Sequence, residues 1–218
     1  MKQNRQNEML TELVLILDRS GSMHGLEADT IGGFRTMIEK QKAQPGEALV
    51  TTVLFNHELR MVHDRLALAQ VPPITPAEYE AFGSTALMDA IGTTVEHIAN
   101  IHRYARPEDV PAHTIFAIIT DGMENCSTRY SSREVKRMIR KRQEAGWAFL
   151  FIGANIDAVE AAACVGIAPD HAANYCADGQ GTRVVYEAMS DAVRQMRANV
   201  PLAAAWSEPI EADCRRQR

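Results

Sequence analysis

The sequence predicts an α/β fold of the doubly wound type, in which a central, mostly parallel sheet has one antiparallel edge strand and helices on both faces. Continuous apolar runs at positions 11–17 and 114–119 are typical of strands buried on both faces of a parallel sheet. Segments with helical spacing of apolar residues alternate with these runs, which indicates crossover helices. Only three residues separate the predicted strands at 48–55 and 59–63, so these two strands are expected to be antiparallel neighbours.

The first half of the chain contains three predicted strands and two predicted helices. In order, they are a strand at 11–17, a helix from Leu26 that stops before Pro45, strands at 48–55 and 59–63, and a helix at 87–101. The second strand of the hairpin is the predicted edge strand. Between it and the next helix, three prolines and many polar residues predict a long loop at 65–82, which leads to Thr85.

The second half continues the alternation of strands and helices. In order, its predicted elements are a strand at 114–119, a helix around Val135 to Ile139, a strand at 147–152, a short helix at 157–164, a weak strand at 171–175 and a last helix at 184–196. The segment after Val200 lacks such a pattern and is expected to form a separate appendage. We therefore divide the chain into a polar N-terminal tail at 1–10, one domain at 11–197 and a C-terminal tail at 198–218.

Composition and charge exclude several classes of protein. Of the 218 residues, 46% are hydrophobic and 23% are charged, which fits a globular domain and excludes a disordered or collagen-like chain. The apolar runs are too short to span a membrane, and the polar N-terminus lacks the apolar segment of a secretory signal, so we expect a cytoplasmic location. A net charge of −5 provides no overall attraction for nucleic acid. The four cysteines lack the spacing of a zinc or redox motif, which predicts free buried thiols.

Polar side chains occupy three positions where ligands gather in open α/β sheets. Asp18, Ser20 and Ser22 follow the first strand, Thr85 precedes a helix, and Asp121 follows the fourth strand. Hydroxyl and carboxylate oxygens without imidazole or thiolate favour Mg²⁺, Mn²⁺ or Ca²⁺ over zinc or copper. The pattern therefore predicts a divalent cation site at one edge of the sheet.

The same residues resemble the metal-ion-dependent adhesion site (MIDAS) of von Willebrand factor A domains. That site has the pattern D-x-S-x-S, then a distant Thr and a distant Asp, and Asp18, Ser20, Ser22, Thr85 and Asp121 match all five positions. The order of strands and helices is also similar to that of the family over most of the chain. One difference is the residue before the Thr, which is a Ser where many members of the family have a second Gly.

The resemblance implies a role for each residue and for the chain. Ser20, Ser22 and Thr85 would ligate the metal directly or by exchange with water, whereas Asp18 and Asp121 would act mainly through bound water. The metal, which is Mg²⁺ or alternatively Mn²⁺ or Ca²⁺, would capture an Asp or Glu side chain of a protein partner. Microbial members of this type often work with AAA-type ATPases or in multiprotein complexes, so such an ATPase is a candidate partner.

We predict a metal-dependent interaction module and not an enzyme, because the sequence presents no evident nucleophile or catalytic base. The alternative is a metal-dependent hydrolase of the phosphatase or esterase type. Other known motifs fail at a specific position. An EF-hand that begins at Asp18 requires Gly at Met23, and a lipase-type nucleophile elbow requires Ser at the same position.

Some residues keep two interpretations. The basic stretch at 129–142 is either a solvated helix face or a surface for an acidic partner or nucleic acid. Glu124 and Asn125 follow Asp121 closely and could orient it or a metal-bound water. Trp206 either anchors a partner or covers the domain's own apolar surface.

Overall fold

The computed structural model describes residues 10–217, and its centre is a six-stranded sheet. The strands are β1 (Thr11–Asp18), β2 (Ala48–Phe55), β3 (Leu59–Ala67), β4 (His113–Thr120), β5 (Ala148–Ala154) and β6 (Ala172–Tyr175). Their order in the sheet is β3-β2-β1-β4-β5-β6. β2 and β3 are antiparallel, and every other neighbouring pair is parallel. The predicted fold class is therefore confirmed, including the antiparallel edge strand.

Helices cover both faces of the sheet. They are α1 (Glu27–Lys42), α2 (Leu87–Tyr104), α3 (Ser132–Gln143), α4 (Ala158–Cys164), α5 (Gly179–Arg197) and α6 (Glu208–Gln217). Apolar residues of α1, α5 and α6 pack on one face, and those of α2, α3 and α4 pack on the other. Several helix starts are capped by side chains, and Ser131 and Glu134 form a complete capping box at α3. No helix in the described part of the chain is long and apolar enough to cross a membrane.

β1 lies in the middle of the sheet, and its apolar side chains pack on both faces. Leu13, Leu15 and Leu17 point to the core beneath α1 and α5, whereas Val14 and Ile16 point to the core beneath α2 and α3. Successive side chains of a strand alternate between the two faces of the sheet, so both faces require apolar residues here. All eight residues of β1 are buried. The strand therefore holds its carboxyl end in a fixed place between two packed layers.

The end of the chain differs from the sequence-based expectation of a separate appendage. Trp206 and Ile210 are buried and belong to the core between the sheet and α5. The indole Nε1 of Trp206 donates a hydrogen bond to the carbonyl oxygen of Asp170 at 2.7 Å. Trp206 thus covers the domain's own apolar surface, which decides between the two interpretations of this residue.

The cysteines also differ from expectation. Cys176 and Cys214 form a disulfide that joins the segment before α5 to α6, so the prediction of free thiols is wrong for this pair. Cys126 and Cys164 are free. They are not buried, however, because Cys126 is half-buried and Cys164 is exposed. Spacing could not reveal the pair, since its members are 38 positions apart and the contact exists only once α6 has packed.

Candidate metal centre

The carboxyl ends of β1 and β4 meet at one edge of the sheet because these strands are parallel neighbours. Asp18 is the last residue of β1, Thr120 is the last residue of β4, and Asp121 follows directly. Asp18 Oδ2 accepts a hydrogen bond from Thr120 Oγ1 at 2.6 Å, and Asp18 Oδ1 accepts one from the backbone N–H of Ser20 at 2.7 Å. Both oxygens of this buried carboxylate are therefore held in place.

The loop after β1 places two serine hydroxyls beside Asp121. Ser22 lies in a short 3₁₀ helix, Gly21–Met23, which is anchored by the buried side chain of Met23. The hydroxyl oxygens of Ser20 and Ser22 are 3.1 Å apart. Ser22 Oγ donates a hydrogen bond to Asp121 Oδ1 at 2.5 Å. The first and last parts of the D-x-S-x-S…Asp pattern are thus in direct contact, although 99 positions separate Ser22 from Asp121.

Thr85 reaches the same place from the loop that precedes α2. It is only 3% exposed, and its backbone pairs with Asn125 in both directions. Asn125 Oδ1 accepts from the Thr85 N–H at 2.9 Å, and the Asn125 N–H donates to the Thr85 carbonyl oxygen at 3.1 Å. Asn125 therefore orients Thr85, whereas the sequence suggested that it orients Asp121 or a metal-bound water.

Glu124 has a similar positioning role at the start of α2. Its carboxylate accepts hydrogen bonds from the backbone N–H groups of Met88, Cys126 and Ser127, at 2.8 to 2.9 Å. It also accepts a bond from the Ser127 hydroxyl at 2.7 Å. These contacts tie the loop after β4 to the first turn of α2. Glu124 consequently acts on the Thr85 segment and not on Asp121.

Gly122 shows how closely the three hydroxyls converge. A Cβ atom placed on this glycine would lie 2.7 Å from Thr85 Oγ1, 3.3 Å from Ser22 Oγ and 3.4 Å from Ser20 Oγ. The three oxygens therefore surround one small space, which exists because residue 122 has no side chain. Since Ser22 also contacts Asp121, and Ser20 contacts Asp18, all five residues predicted from the sequence lie together.

Two buried carboxylates give this space a negative electrostatic environment. Asp18 is 1% exposed and Asp121 is 2% exposed. Burial raises the pKa of Asp18 above its ordinary value, although hydrogen bonds from Thr120 and Ser20 act in the opposite direction. Burial, assisted by the charge of Asp18, raises the pKa of Asp121 to about 6, while the hydrogen bond from Ser22 opposes this rise. Both shifts reflect the cost of placing negative charge in a buried site.

Two residues that support the site have no signal, or only a weak one, in the sequence. Thr120 holds the Asp18 carboxylate, and the only signal for this role in the sequence was its position directly before Asp121 at a strand end. The phenol of Tyr79 donates a hydrogen bond to the carbonyl oxygen of Asp18 and is fully buried, but it comes from the proline-rich loop and cannot be recognised without the fold. His24 points away into solvent and pairs with Glu27 at 3.2 Å.

Solved structures resemble this chain, although no protein-family model and no curated protein sequence matches it. The vWF domain of the type V pili tip protein Mfa5 from Porphyromonas gingivalis is 10% identical with a TM-score of 0.62, over 85% of this chain and 95% of that one. The manganese-loaded TRAP protein of Plasmodium vivax is 14% identical with a TM-score of 0.53, over 78% of this chain and 69% of that one.

A third similar structure is proximal thread matrix protein 1 of the mussel byssus, with a zinc-occupied MIDAS motif. It is 12% identical with a TM-score of 0.56, over 86% of this chain. The match spans only 46% of the mussel protein. At identities this low, the likeness concerns the architecture of the domain. Together with the strand order and the edge strand, it shows that the chain has the fold of von Willebrand factor A domains.

Proposed function

We propose that this chain is a metal-dependent protein-interaction module. Its divalent cation, Mg²⁺ in the first place and Mn²⁺ or Ca²⁺ as alternatives, would be held by Asp18, Ser20, Ser22, Thr85 and Asp121. The observation that carries the proposal is the convergence of three hydroxyls on one space beside two buried carboxylates.

The donor set fits a hard cation. Residues 10–217 contain no group of three or more His, Cys, Asp or Glu side chains placed to hold a metal, so the proposed site depends on hydroxyl oxygens. Neutral hydroxyls with carboxylates behind them suit Mg²⁺, which prefers oxygen ligands and retains several waters. One oxygen, Asp121 Oδ2, is buried without a hydrogen-bond partner in the described chain. A buried acceptor in this state is costly, and a metal-bound water would satisfy it.

The same donor set favours capture of an acidic side chain. Neutral hydroxyl ligands compensate less of the cation's charge than directly ligating carboxylates would, so an Asp or Glu carboxylate from a partner protein is a suitable further ligand. Among proteins of the same fold, the Plasmodium protein is described as manganese-loaded and the mussel protein as having a zinc-occupied MIDAS motif. These descriptions support metal binding by this fold. The choice of Mg²⁺ rests on the donor chemistry of this chain.

The finer parts of the proposal concern the partner and the compartment. An adaptor role for an AAA-type ATPase or a multiprotein complex rests on the family resemblance alone. The cytoplasmic location also stays a prediction. Disulfides are rare in the reducing cytosol, so the Cys176–Cys214 bond argues against that location.

Partner capture is expected to require both the metal and Thr85. A pull-down with immobilised protein in Mg²⁺ should retain a partner that is lost in EDTA and reduced at least about tenfold by Thr85→Ala, because one direct ligand is removed. Thr36→Ala is the matched control, since Thr36 is exposed on α1 and its hydroxyl donates a hydrogen bond to the Gly32 carbonyl oxygen of the same helix. Replacing the captured Asp or Glu of the partner by Ala should have the same effect as EDTA.

Two results would count against this function. Equal retention of the partner in EDTA and by Asp18→Ala and Thr85→Ala would make any metal structural. Turnover of phosphatase or esterase substrates with Mg²⁺ or Mn²⁺, lost in Asp18→Ala, would instead support the hydrolase alternative.

Gly122→Ala is expected to exclude the metal sterically. The new methyl group would lie 2.7 Å from Thr85 Oγ1, which is closer than such atoms approach in proteins. We expect the affinity for Mn²⁺, measured by isothermal titration calorimetry, to fall at least about tenfold, which corresponds to about 1.4 kcal/mol. Gly32→Ala is the control, because a methyl group there meets nothing within 4 Å. Unchanged affinity in Gly122→Ala would place the metal elsewhere.

A further inference from the structure

A groove of about 820 Å³ runs between α2 and α3, away from the candidate metal centre. Its floor includes Val95 and Ala99 from α2, Met138 from α3, and Trp147, which lies just before β5. Val95, Ala99 and Trp147 are buried, whereas Met138 is partly exposed. The groove between the two helices therefore has an apolar floor, and Met138 is the most exposed of these four residues.

The rim of this groove carries more positive than negative charge. Arg103, Arg137, Lys141 and Arg142 line it, and none of them forms a salt bridge with an acidic group of residues 10–217. The guanidinium of Arg142 stacks over the Trp147 ring at 5.3 Å. By contrast, many exposed cations elsewhere, such as those of α1 and α5, have carboxylate partners.

The two carboxylates at the rim are already bonded within the domain. Glu96 accepts a hydrogen bond from the phenol of Tyr130 at 2.7 Å. Glu134 accepts bonds from the N–H and hydroxyl of Ser131 at 2.9 and 2.6 Å, and these hydrogen bonds, with a smaller effect of Arg137, lower its pKa. Neither carboxylate forms a salt bridge with the cations of the rim. Both carboxylates keep their charge, but four cations against two carboxylates leave the groove lining with a net positive charge.

The positive surface continues over the outer side of α3. A shallow depression of about 640 Å³ there is lined by five cations and one carboxylate, namely Arg133, Lys136, Arg137, Arg140, Lys141 and Glu144. Arg137 and Lys141 line both the groove and this depression. Seven of the 23 Lys and Arg residues of the chain lie within positions 129–142, in a protein whose net charge is −5. The basic region is thus concentrated on one helix.

We propose that the groove between α2 and α3 binds an acidic peptide segment of a partner protein, with an apolar side chain of that segment on the groove floor. Charge complementarity selects an acidic ligand, and the apolar floor beneath the cations favours a peptide over a nucleic acid, whose phosphates would contact only the rim. This function is additional to metal-dependent capture and independent of it.

Position supports that independence. Trp147 lies before β5, at the amino ends of the strands, whereas Asp18 and Asp121 lie at the carboxyl ends of β1 and β4. In the register of β4 and β5, Ala148 pairs with Ile115 and Gly153 pairs with Thr120. At about 3.3 Å per residue, the Trp147 end of the groove is about 20 Å from the metal centre. Two different partners could therefore bind at the same time.

Selection of peptides from a phage-displayed random 12-residue library tests this proposal. The selection uses the full chain in EDTA, so that no metal contributes, and removes phage that also bind the variant Arg137→Glu/Lys141→Glu. We expect the enriched peptides to contain several Asp or Glu residues beside a Leu, Met or aromatic residue. In fluorescence anisotropy, such a peptide should bind the charge-reversed variant at least about tenfold more weakly, and replacing its apolar residue by Ser should weaken binding to the wild type.

The matched control is Arg183→Glu/Arg194→Glu, which reverses two exposed cations of α5 on the opposite face of the sheet and should change the Kd less than twofold. Circular dichroism verifies that all variants are folded. Failure to enrich any peptide that distinguishes wild type from the charge-reversed variant would overturn the proposal, and so would enrichment of peptides without acidic residues. Binding of a 20-nucleotide single-stranded DNA is measured in the same way. If the wild type binds this DNA more tightly than the best peptide, and the charge-reversed variant does not bind it, the surface is assigned to nucleic acid instead.

Discussion

Saturation with Mg²⁺ or Mn²⁺ is expected to raise the melting temperature of this domain by about 5–10 °C. A ligand that binds only the folded state stabilises it by RT ln(1 + [L]/Kd), which is about 2.7 kcal/mol when the ligand concentration is a hundred times Kd. For a chain of this length, each kcal/mol shifts the melting temperature by about 2–4 °C. Differential scanning fluorimetry with EDTA, and then with millimolar metal, measures the difference.

Single-hydroxyl variants make this measurement specific for the site. Ser20→Ala and Thr85→Ala should melt close to the wild type in EDTA, because each removes a single hydroxyl and leaves the backbone hydrogen bonds of Ser20 to Asp18 and of Thr85 to Asn125 in place. In metal, both should lose most of the stabilisation, whereas Thr36→Ala should retain it. Equal melting temperatures of the wild type in EDTA and in metal would contradict the proposed site.

Asp121→Asn is expected to stabilise the metal-free domain near neutral pH. In the folded state, burial and then the charge of Asp18 raise the pKa of Asp121 to about 6, above the ordinary value of 3.8 that applies to the unfolded chain. The folded state thus binds a proton more readily than the unfolded state, so its stability falls as pH rises from about 4 to about 6. Asn cannot ionise and avoids this loss, which we place on the order of 1–2 kcal/mol after allowing for solvent screening.

Urea denaturation in EDTA at pH 4 and at pH 7.5 checks this expectation. The free energies of unfolding of the wild type and Asp121→Asn should be similar at pH 4, and the variant should be more stable at pH 7.5. In saturating Mg²⁺ at pH 7.5 the wild type should be more stable than Asp121→Asn, because the Asp121 carboxylate attracts the cation and the neutral Asn side chain does not. A variant that is less stable than the wild type at pH 7.5 in EDTA would show that the Asp121 charge is already compensated within the domain.

The strands could be predicted well where burial on both faces forces an apolar run, as in β1 and β4. The extension of β3 to Ala67 was missed for a physical reason. Arg65 has a φ of 49° at an irregular part of the β2–β3 pairing, and it forms a salt bridge at 2.8 Å with the buried Glu12. The prolines and polar residues of positions 65–82 predicted a loop that begins at Arg65, and the carboxylate that pairs with Arg65 is visible only in the folded structure.

α6 was missed because the segment after Val200, which contains Pro201 and Pro209, lacks a clear helical spacing of apolar residues. Pro209 is the second residue of this helix, where no backbone N–H is required and proline is tolerated. The helix has few apolar residues of its own, so its hydrophobic spacing is weak. Its position depends on Ile210 and on the disulfide with Cys176, which are contacts with distant parts of the chain.

The candidate site was predictable to the extent that its residue types lie in local patterns at strand ends. Asp18, Ser20 and Ser22 lie within five positions, Asp121 directly precedes Gly122, and Thr85 lies two positions after Gly83. The residues that orient them could not be predicted, because their roles depend on contacts between distant segments. Asn125 reaches Thr85 across 40 positions, and Thr120 reaches Asp18 across 102.

The most direct test of the central claim is anomalous X-ray diffraction from crystals of the protein grown with Mn²⁺. The account predicts one strong anomalous peak in the space beside Gly122, in contact with the hydroxyl oxygens of Ser20, Ser22 and Thr85, and no such peak there for Gly122→Ala crystals grown in the same way. The account would be contradicted by wild-type crystals at saturating Mn²⁺ in which these three hydroxyls, Asp18 and Asp121 are in place but no anomalous peak lies among them.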